Sequence, residues 1–217
     1  MSNLYITVGE VGVGKTNFTL NFALKLAKTQ KITLVDLDTS NLYFRLSEFI
    51  SKLKHENIEI ISPNFAHSTQ EVPSLSGAVE SALRDLTKTV IVDTAGGDFG
   101  ITILSRYREV IKQRNAQISC VVNQFRKEVD KPQKAADFLK DFERRTGLHA
   151  TNLVNNSHLG EHTTANDVKK ASEYAKEICE LYKINLLYNC VSENLAKDVQ
   201  AQIANILPVK ILNGGRL

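Results

Sequence analysis

Short apolar runs and longer amphipathic stretches alternate along the whole of this 217-residue chain. Leu4 to Val8, Ile32 to Val35, Ile58 to Ile61, Val90 to Val92, Ile118 to Val122, Asn152 to Val154, Asn185 to Tyr188 and Pro208 to Leu212 are mostly rich in Val, Ile and Leu, the pattern of buried strands. Between them, Asn17 to Lys28, Ser74 to Leu86, Gln133 to Arg145 and Ala165 to Leu181 place apolar residues three and four apart, the period of a helix with one buried face. Strands that are apolar on both sides, separated by such helices, predict an α/β fold: a mainly parallel central sheet with helices on both faces. No internal repeat, low-complexity tract or Pro/Gly-rich linker breaks the alternation, so residues 1–217 read as one domain. The polar stretch Ser62 to Pro73 and the charged stretch Arg126 to Lys134 read as surface connections.

Composition removes several function classes. A hydrophobic content of 42% suffices for a full core. With 27 basic and 24 acidic residues the net charge is +3, too even for electrostatics alone to announce a nucleic-acid binder, and DNA is disfavoured as a partner. Cys120, Cys179 and Cys190 are far apart and form no CxxC pair, which fits reduced thiols better than a disulfide framework or a metal site within one chain. No charged leader followed by an apolar core precedes the first strand, and no apolar run approaches membrane-spanning length. The final stretch ILPVKILNGGRL is no basic amphipathic helix. The expectation is a soluble, cytoplasmic protein with no membrane partner.

Three segments carry chemistry. The first is LYITVGEVGVGKTNF, in which Gly9-x4-Gly14-Lys15-Thr16 satisfies the P-loop pattern between a strand and a helix. Glycines let the backbone curl so that several N–H groups face one anion, and the helix start adds partial positive charge. Lys15 then reaches the terminal phosphates, and the Thr16 hydroxyl ligates Mg²⁺. Gly9, Gly12, Val13, Gly14, Lys15, Thr16 and Asn17 form the expected phosphate-binding set. The second segment, VIVDTAGG, ends a strand in Asp93, suited to hold Mg²⁺ through water, and continues to Gly96, whose N–H can sense a γ-phosphate. Asp93 could equally cap the next helix. The third, LVDLDTSN, offers Asp36 and Asp38 one residue apart on an extended segment, so that only one need face the site. Asp38, further out, suits water positioning, while Asp36 can support the metal or Lys15; a helix cap formed by Asp38-Thr39-Ser40 is the competing use.

GEVGVGKT, VDLDTSN and VDTAGG, in this order and spacing, resemble the MinD/ParA branch of P-loop ATPases, which includes the CooC metal-centre maturation ATPases and the arsenite-pump ATPases. The resemblance implies ATP and Mg²⁺ as ligands, Lys15 and Thr16 at phosphate and metal, Asp38 orienting the hydrolytic water, and Asp93 behind the metal. It also implies an Asn at the end of a later strand that recognises adenine, a role that falls on Asn155, with Asn123 as the rival. Guanine is disfavoured because neither NQFR after Val122 nor NNSH after Val154 supplies the carboxylate of an Asn-Lys-x-Asp reader. In relatives a lysine follows the first loop glycine and touches the partner's nucleotide across a dimer. Here that position is Glu10, followed by Val11. The expected function is a slow ATPase switch acting on a protein or cofactor-assembly partner, with at most weak nucleotide-dependent homodimerisation. Two alternatives stand: a scaffold that binds nucleotide without hydrolysis, and an ATP-dependent small-molecule enzyme like dethiobiotin synthetase.

Overall fold

In the computed structural model, which describes residues 3–38, 57–61 and 77–211, eight parallel strands form one sheet. They are β1 (Leu4–Val8), β2 (Ile32–Leu37), β3 (Ile58–Ile61), β4 (Thr89–Thr94), β5 (Gln117–Val122), β6 (Asn152–Asn155), β7 (Asn185–Ser192) and β8 (Ile206–Val209). Their spatial order is β3-β2-β4-β1-β5-β6-β7-β8. The connecting helices are α1 (Lys15–Ala27), α2 (Gly77–Arg84), α3 (Gly97–Arg106), α4 (Arg108–Gln113), α5 (Pro132–Thr146), α6 (Ala165–Tyr182) and α7 (Glu193–Val199). From β1 the chain moves one way, through α1 to β2 and β3; from β4 onward it moves the other way. Right-handed crossovers then put α1 on one face and the later helices on the opposite face. β1 and β5 are neighbours whose onward connections leave in opposite directions, and an open parallel sheet opens its ligand crevice at such a point. The loop after β1 lies there.

The apolar runs become the centre of the sheet, with β2 and β4 buried along their full lengths. Chain chemistry sets the helix ends. Thr164 and Asp167 form a reciprocal capping box at the start of α6. Pro132 occupies the first turn of α5, and Gly147, in the left-handed region, returns its N–H to the Glu143 carbonyl at 2.8 Å to end it. α1 is buried on nearly every side over its first two turns, because the far edge of the twisted sheet reaches round to it. Phe22 stacks on Phe18 and meets the rings of Tyr5 and Tyr188, while Asn21 exchanges two hydrogen bonds with the backbone of Lys210 at 2.9 and 3.0 Å.

The structure differs from the sequence expectations at a few elements. β7 runs on past Tyr188 to Ser192, through the buried Asn189, which reads as a break in sequence but is satisfied by Asn155 and the Ala204 carbonyl. The last strand begins at Ile206 and has Pro208 inside it, which an edge strand tolerates. Leu212 lies outside the described residues, as do Ser62 to Pro73 and the first three residues of the expected Ser74 helix. The three thiols are free; burial pushes Cys120 up to about 12 and Cys179 to about 11, so they act as core side chains. Among the described residues no helix is long and apolar enough to cross a membrane.

Candidate functional site

The loop from Gly9 to Gly14 takes its shape from backbone that only glycine adopts without strain. Gly9, Gly12 and Gly14 have φ of 147°, 74° and 88°. Space enforces the same choice, since a Cβ on Gly9 would stand 2.4 Å from the Val121 carbonyl oxygen and one on Gly14 2.2 Å from Asn156 Nδ2. The loop therefore lies directly on the ends of β5 and β6. Lys15, the first residue of α1, is buried and folds back so that Nζ donates to the Glu10 carbonyl at 2.9 Å. Burial draws its ammonium below the ordinary lysine range, while the charges of Asp93, Asp38 and Glu10 hold it up. A cation half-stripped of water and facing an open loop is suited to an anion.

Thr16 Oγ1 donates to Asp93 Oδ2 at 2.6 Å, and Thr19 Oγ1 lies 3.0 Å from the other carboxylate oxygen. Thr19 also bonds Thr7 and the Lys15 carbonyl, so one turn of α1 is stitched to the ends of β1 and β4. Asp93 has no exposure, and Asp36 stands opposite it in the β2–β4 register. Burial first, and then the Asp36 charge, push the Asp93 carboxyl up to about 7. Asp38 lies just past the end of β2, and its N–H donates to Asp36 Oδ1 at 3.0 Å. Once the strand ends, strict alternation ends with it, and the charges of Asp36 and Asp38 both reach Asp93. Thr39, Ser40 and Asn41, the residues of the expected helix cap, lie outside the described residues.

The turn after Asp93 is tied to the loop. Thr94 Oγ1 donates to the Thr7 carbonyl at 2.6 Å, and the Gly97 N–H to the Gly9 carbonyl at 3.2 Å. Gly96, at the start of α3, passes so near Val11 that a Cβ there would lie 2.7 Å from the Val11 backbone. Glu10 is half-buried, with its carboxylate beside Gly97, and burial raises its pKa.

Asn155 and Asn123 occupy the ends of β6 and β5, as the sequence predicts, but their amides are engaged within the fold. Asn155 Nδ2 donates to the Ala171 carbonyl and to Asn189 Oδ1, and its Oδ1 accepts from the N–H and hydroxyl of Ser157. Asn123 Oδ1 accepts the Phe125 N–H at 3.0 Å, closing a turn. The residue that reaches the Gly9–Gly14 loop is Asn156, fully buried, whose Nδ2 donates to the Val13 carbonyl at 2.9 Å while its Oδ1 has no partner among the described residues. Next to it, His158 stands 4.0 Å from the Cβ position of Gly14. Sequence reasoning passed over Asn156, Thr19 and His158; the doubled Asn in VNNSH was the available signal for the first. Beyond them, at the carboxyl ends of β7 and β8, a cavity of about 520 Å³ is lined by Gly160, Ser192, Glu193, Asn194 and Lys210 among others.

No protein-family model matches the sequence, and no curated protein matches it. In fold the chain is similar to a nucleotide-binding protein from Archaeoglobus fulgidus in complex with ADP, with a TM-score of 0.52 and 17% identity over 90% of this chain and 84% of that one. It is also similar to FtsY from Mycoplasma mycoides (TM-score 0.57, 16% identity, 86% of this chain and 59% of that one). The signal recognition particle receptor FtsY from Elizabethkingia anophelis gives a TM-score of 0.54 at 15% identity, over 97% of this chain and 62% of that one. This chain thus spans about three fifths of the FtsY chains it matches. The fold is that of the P-loop NTPases.

Proposed function

We propose that this protein is a Mg·ATP-binding P-loop ATPase of MinD/ParA type that acts as a slow, nucleotide-dependent switch on a protein or cofactor-assembly partner. The observation that carries the reading is the 2.6 Å hydrogen bond from Thr16 to Asp93, beside the buried Lys15. An O–H that donates to a carboxylate leaves its oxygen lone pairs for a cation. A hydroxyl backed by carboxylates is an oxygen-only donor set, which suits Mg²⁺ with water and phosphate oxygens completing its shell. In this reading Thr16 ligates the ion, with Asp93 and Asp36 behind it; bound there, it neutralises charge on the phosphates.

The remaining roles are assigned within the same reading. The N–H groups from Gly12 to Asn17 face the phosphates, Lys15 leaves the Glu10 carbonyl for the terminal ones, and Asp38, outermost of the acids, orients the attacking water. Base recognition falls to the Asn156 side of the loop and the cavity beyond it, since Asn155 would have to surrender its internal bonds to serve. The Archaeoglobus neighbour, described with ADP, supports an adenine nucleotide. The switch reading draws on the ties between the loop and the start of α3. Val11, Phe99, Phe125 and Leu159, exposed by 67, 43, 37 and 45%, sit on the loop, on α3 and on the segments after β5 and β6, where a protein partner could sense nucleotide state.

Phosphate release from ATP and from GTP, measured with and without Mg²⁺, is the test. Mg²⁺-dependent release from ATP, absent in Lys15→Ala, is expected. Tight nucleotide binding with no release would favour the scaffold. Undiminished affinity in a folded Lys15→Ala protein would end the assignment, because a charged contact of this kind is worth roughly 1.5–3 kcal/mol, or about one to two decades.

A further inference from the structure

The charge inventory around the loop does not suit a polyanion. Among the described residues the charges of Asp93, Asp38 and Glu10 act on the buried ammonium of Lys15, and Asp36 stands beside Asp93. The other strong base against the loop is Arg126, from the segment after β5. Its Nε, Cζ and Cδ lie 3.7, 3.8 and 4.0 Å from the Cβ position of Gly12, so the guanidinium end of the side chain covers the glycine. Its backbone is held firmly: the Arg126 N–H donates to the Asn123 carbonyl at 3.0 Å, its carbonyl accepts from Val129 at 2.9 Å, and the preceding Gln124 N–H donates to Ser157 at 2.8 Å. The side chain is exposed and makes no ion pair or hydrogen bond among the described residues. Fixed at its base and unpaired at its tip, such an arginine is preorganised for an anion that has yet to arrive.

Its place on the loop indicates which anion. Lys15 Nζ marks the terminal-phosphate end and is bonded at Glu10; Gly96, after Asp93, abuts Val11. Gly12 follows Val11 directly, whereas the start of α1 lies beyond Gly14. We propose that Arg126 is a phosphate-binding arginine supplied by the chain itself, which engages the terminal phosphate of a bound nucleoside triphosphate and gives the site its preference for triphosphate over diphosphate. The inference rests on the reading of this loop as a nucleotide site.

Calorimetry of the full chain with Mg²⁺ and either a non-hydrolysable ATP analogue or ADP tests this in the parent, Arg126→Ala, Arg126→Lys and Lys15→Ala. Arg126→Ala should weaken the analogue at least about tenfold and ADP less than about threefold, the span expected of one charge-assisted contact to one phosphate. Arg126→Lys should recover part of the loss, and thermal unfolding should not change, because the side chain makes no hydrogen bond or ion pair among the described residues. The losses should be the same across a hundredfold range of protein concentration; a loss confined to concentrations at which the protein associates would give the arginine to a second copy and overturn the assignment. Equal weakening of both ligands, or of neither, in a protein whose parent form binds them and whose Lys15→Ala form does not, would overturn it while leaving the nucleotide site intact. A parent that binds neither ligand would remove the site reading and Arg126's role with it.

Discussion

Asp93 allows a test that needs no ligand. Its carboxyl moves from an ordinary 3.8 to about 7 in the folded protein, chiefly through burial and secondly through Asp36. Between those values the native state holds a proton that the unfolded chain has lost. Stability from this group is therefore complete below about pH 4, falls as pH rises toward 7, and is lost above it. At about 1.4 kcal/mol per pH unit the ceiling is roughly 4 kcal/mol, and between pH 5 and 7 a change of roughly 2 kcal/mol is expected. For a chain of this size that is about 4–8 °C in Tm. His158 works in the opposite sense: burial and Arg126 lower its pKa, so its contribution is lost as pH falls. The measured quantity is therefore a difference, Tm of the parent minus Tm of Asp93→Asn, in EDTA from pH 5 to 8. Asn keeps an oxygen for Thr16 but cannot titrate. The difference should shrink steadily as pH rises, and more gently in an Asp36→Asn background. Parallel curves would show that Asp93 is ionised throughout and refute the reasoning.

Three further outcomes are expected. Asp38→Ala should bind Mg·ATP within about threefold of the parent yet release phosphate at least about tenfold more slowly, since orienting water acts on the transition state; equal turnover would move the role elsewhere. Gly14→Ala should cost roughly 2–4 kcal/mol in urea unfolding, because its φ of 88° is strained for alanine and its methyl would expel Asn156 from the loop carbonyls; a loss under about 1 kcal/mol would show that the loop relaxes freely. Glu10→Lys should tighten ATP binding or increase ATP-dependent self-association in sedimentation, because a carboxylate near a triphosphate is repelled by roughly 1 kcal/mol even at 4 Å in water. A tight nucleotide-dependent dimer of the parent that weakens on this substitution would mean that the acid itself builds the interface.

How far the sequence could be read depended on range. The parallel sheet was legible because strands such as Val90 to Val92 and Ile118 to Val122 are buried along their length and carry at most one small polar residue, Ser119. The glycine loop between β1 and α1 was legible because its glycine spacing, lysine and threonine are local. What escaped were relations between distant segments. Asn155 and Asn156 are adjacent in the chain, and only the placement of β7, α6 and the Gly14 turn decides that the first is held inside the fold and the second meets the loop. Arg126 reads as one charge in a mixed-charge connection until the β5 end brings it over Gly12. α3 begins after a short turn and α7 directly at the end of β7, and neither carries a side-chain cap that would announce it.

The acid within the loop is the point at which local and distant chemistry meet. A lysine at position 10 would add a cation to the loop itself; Glu10 instead places a half-buried carboxylate beside Gly97, on the turn that follows Asp93. That turn is bonded to Gly9 and Thr7, so the loop and the strand-end acid move as one unit. Acidic side chains outnumber the one ammonium at the loop, with Asp93, Asp38 and Glu10 all acting on Lys15, a balance that disfavours a bare polyanion. In the proposed site, a divalent cation at Thr16 and the Arg126 guanidinium at Gly12 would supply the missing positive charge. The two charges would differ in consequence: the cation would have to arrive with its ligand, whereas the arginine is already anchored beyond the end of β5. Nucleotide affinity in this protein should therefore depend on Mg²⁺ more steeply than in a loop that carries its own second lysine.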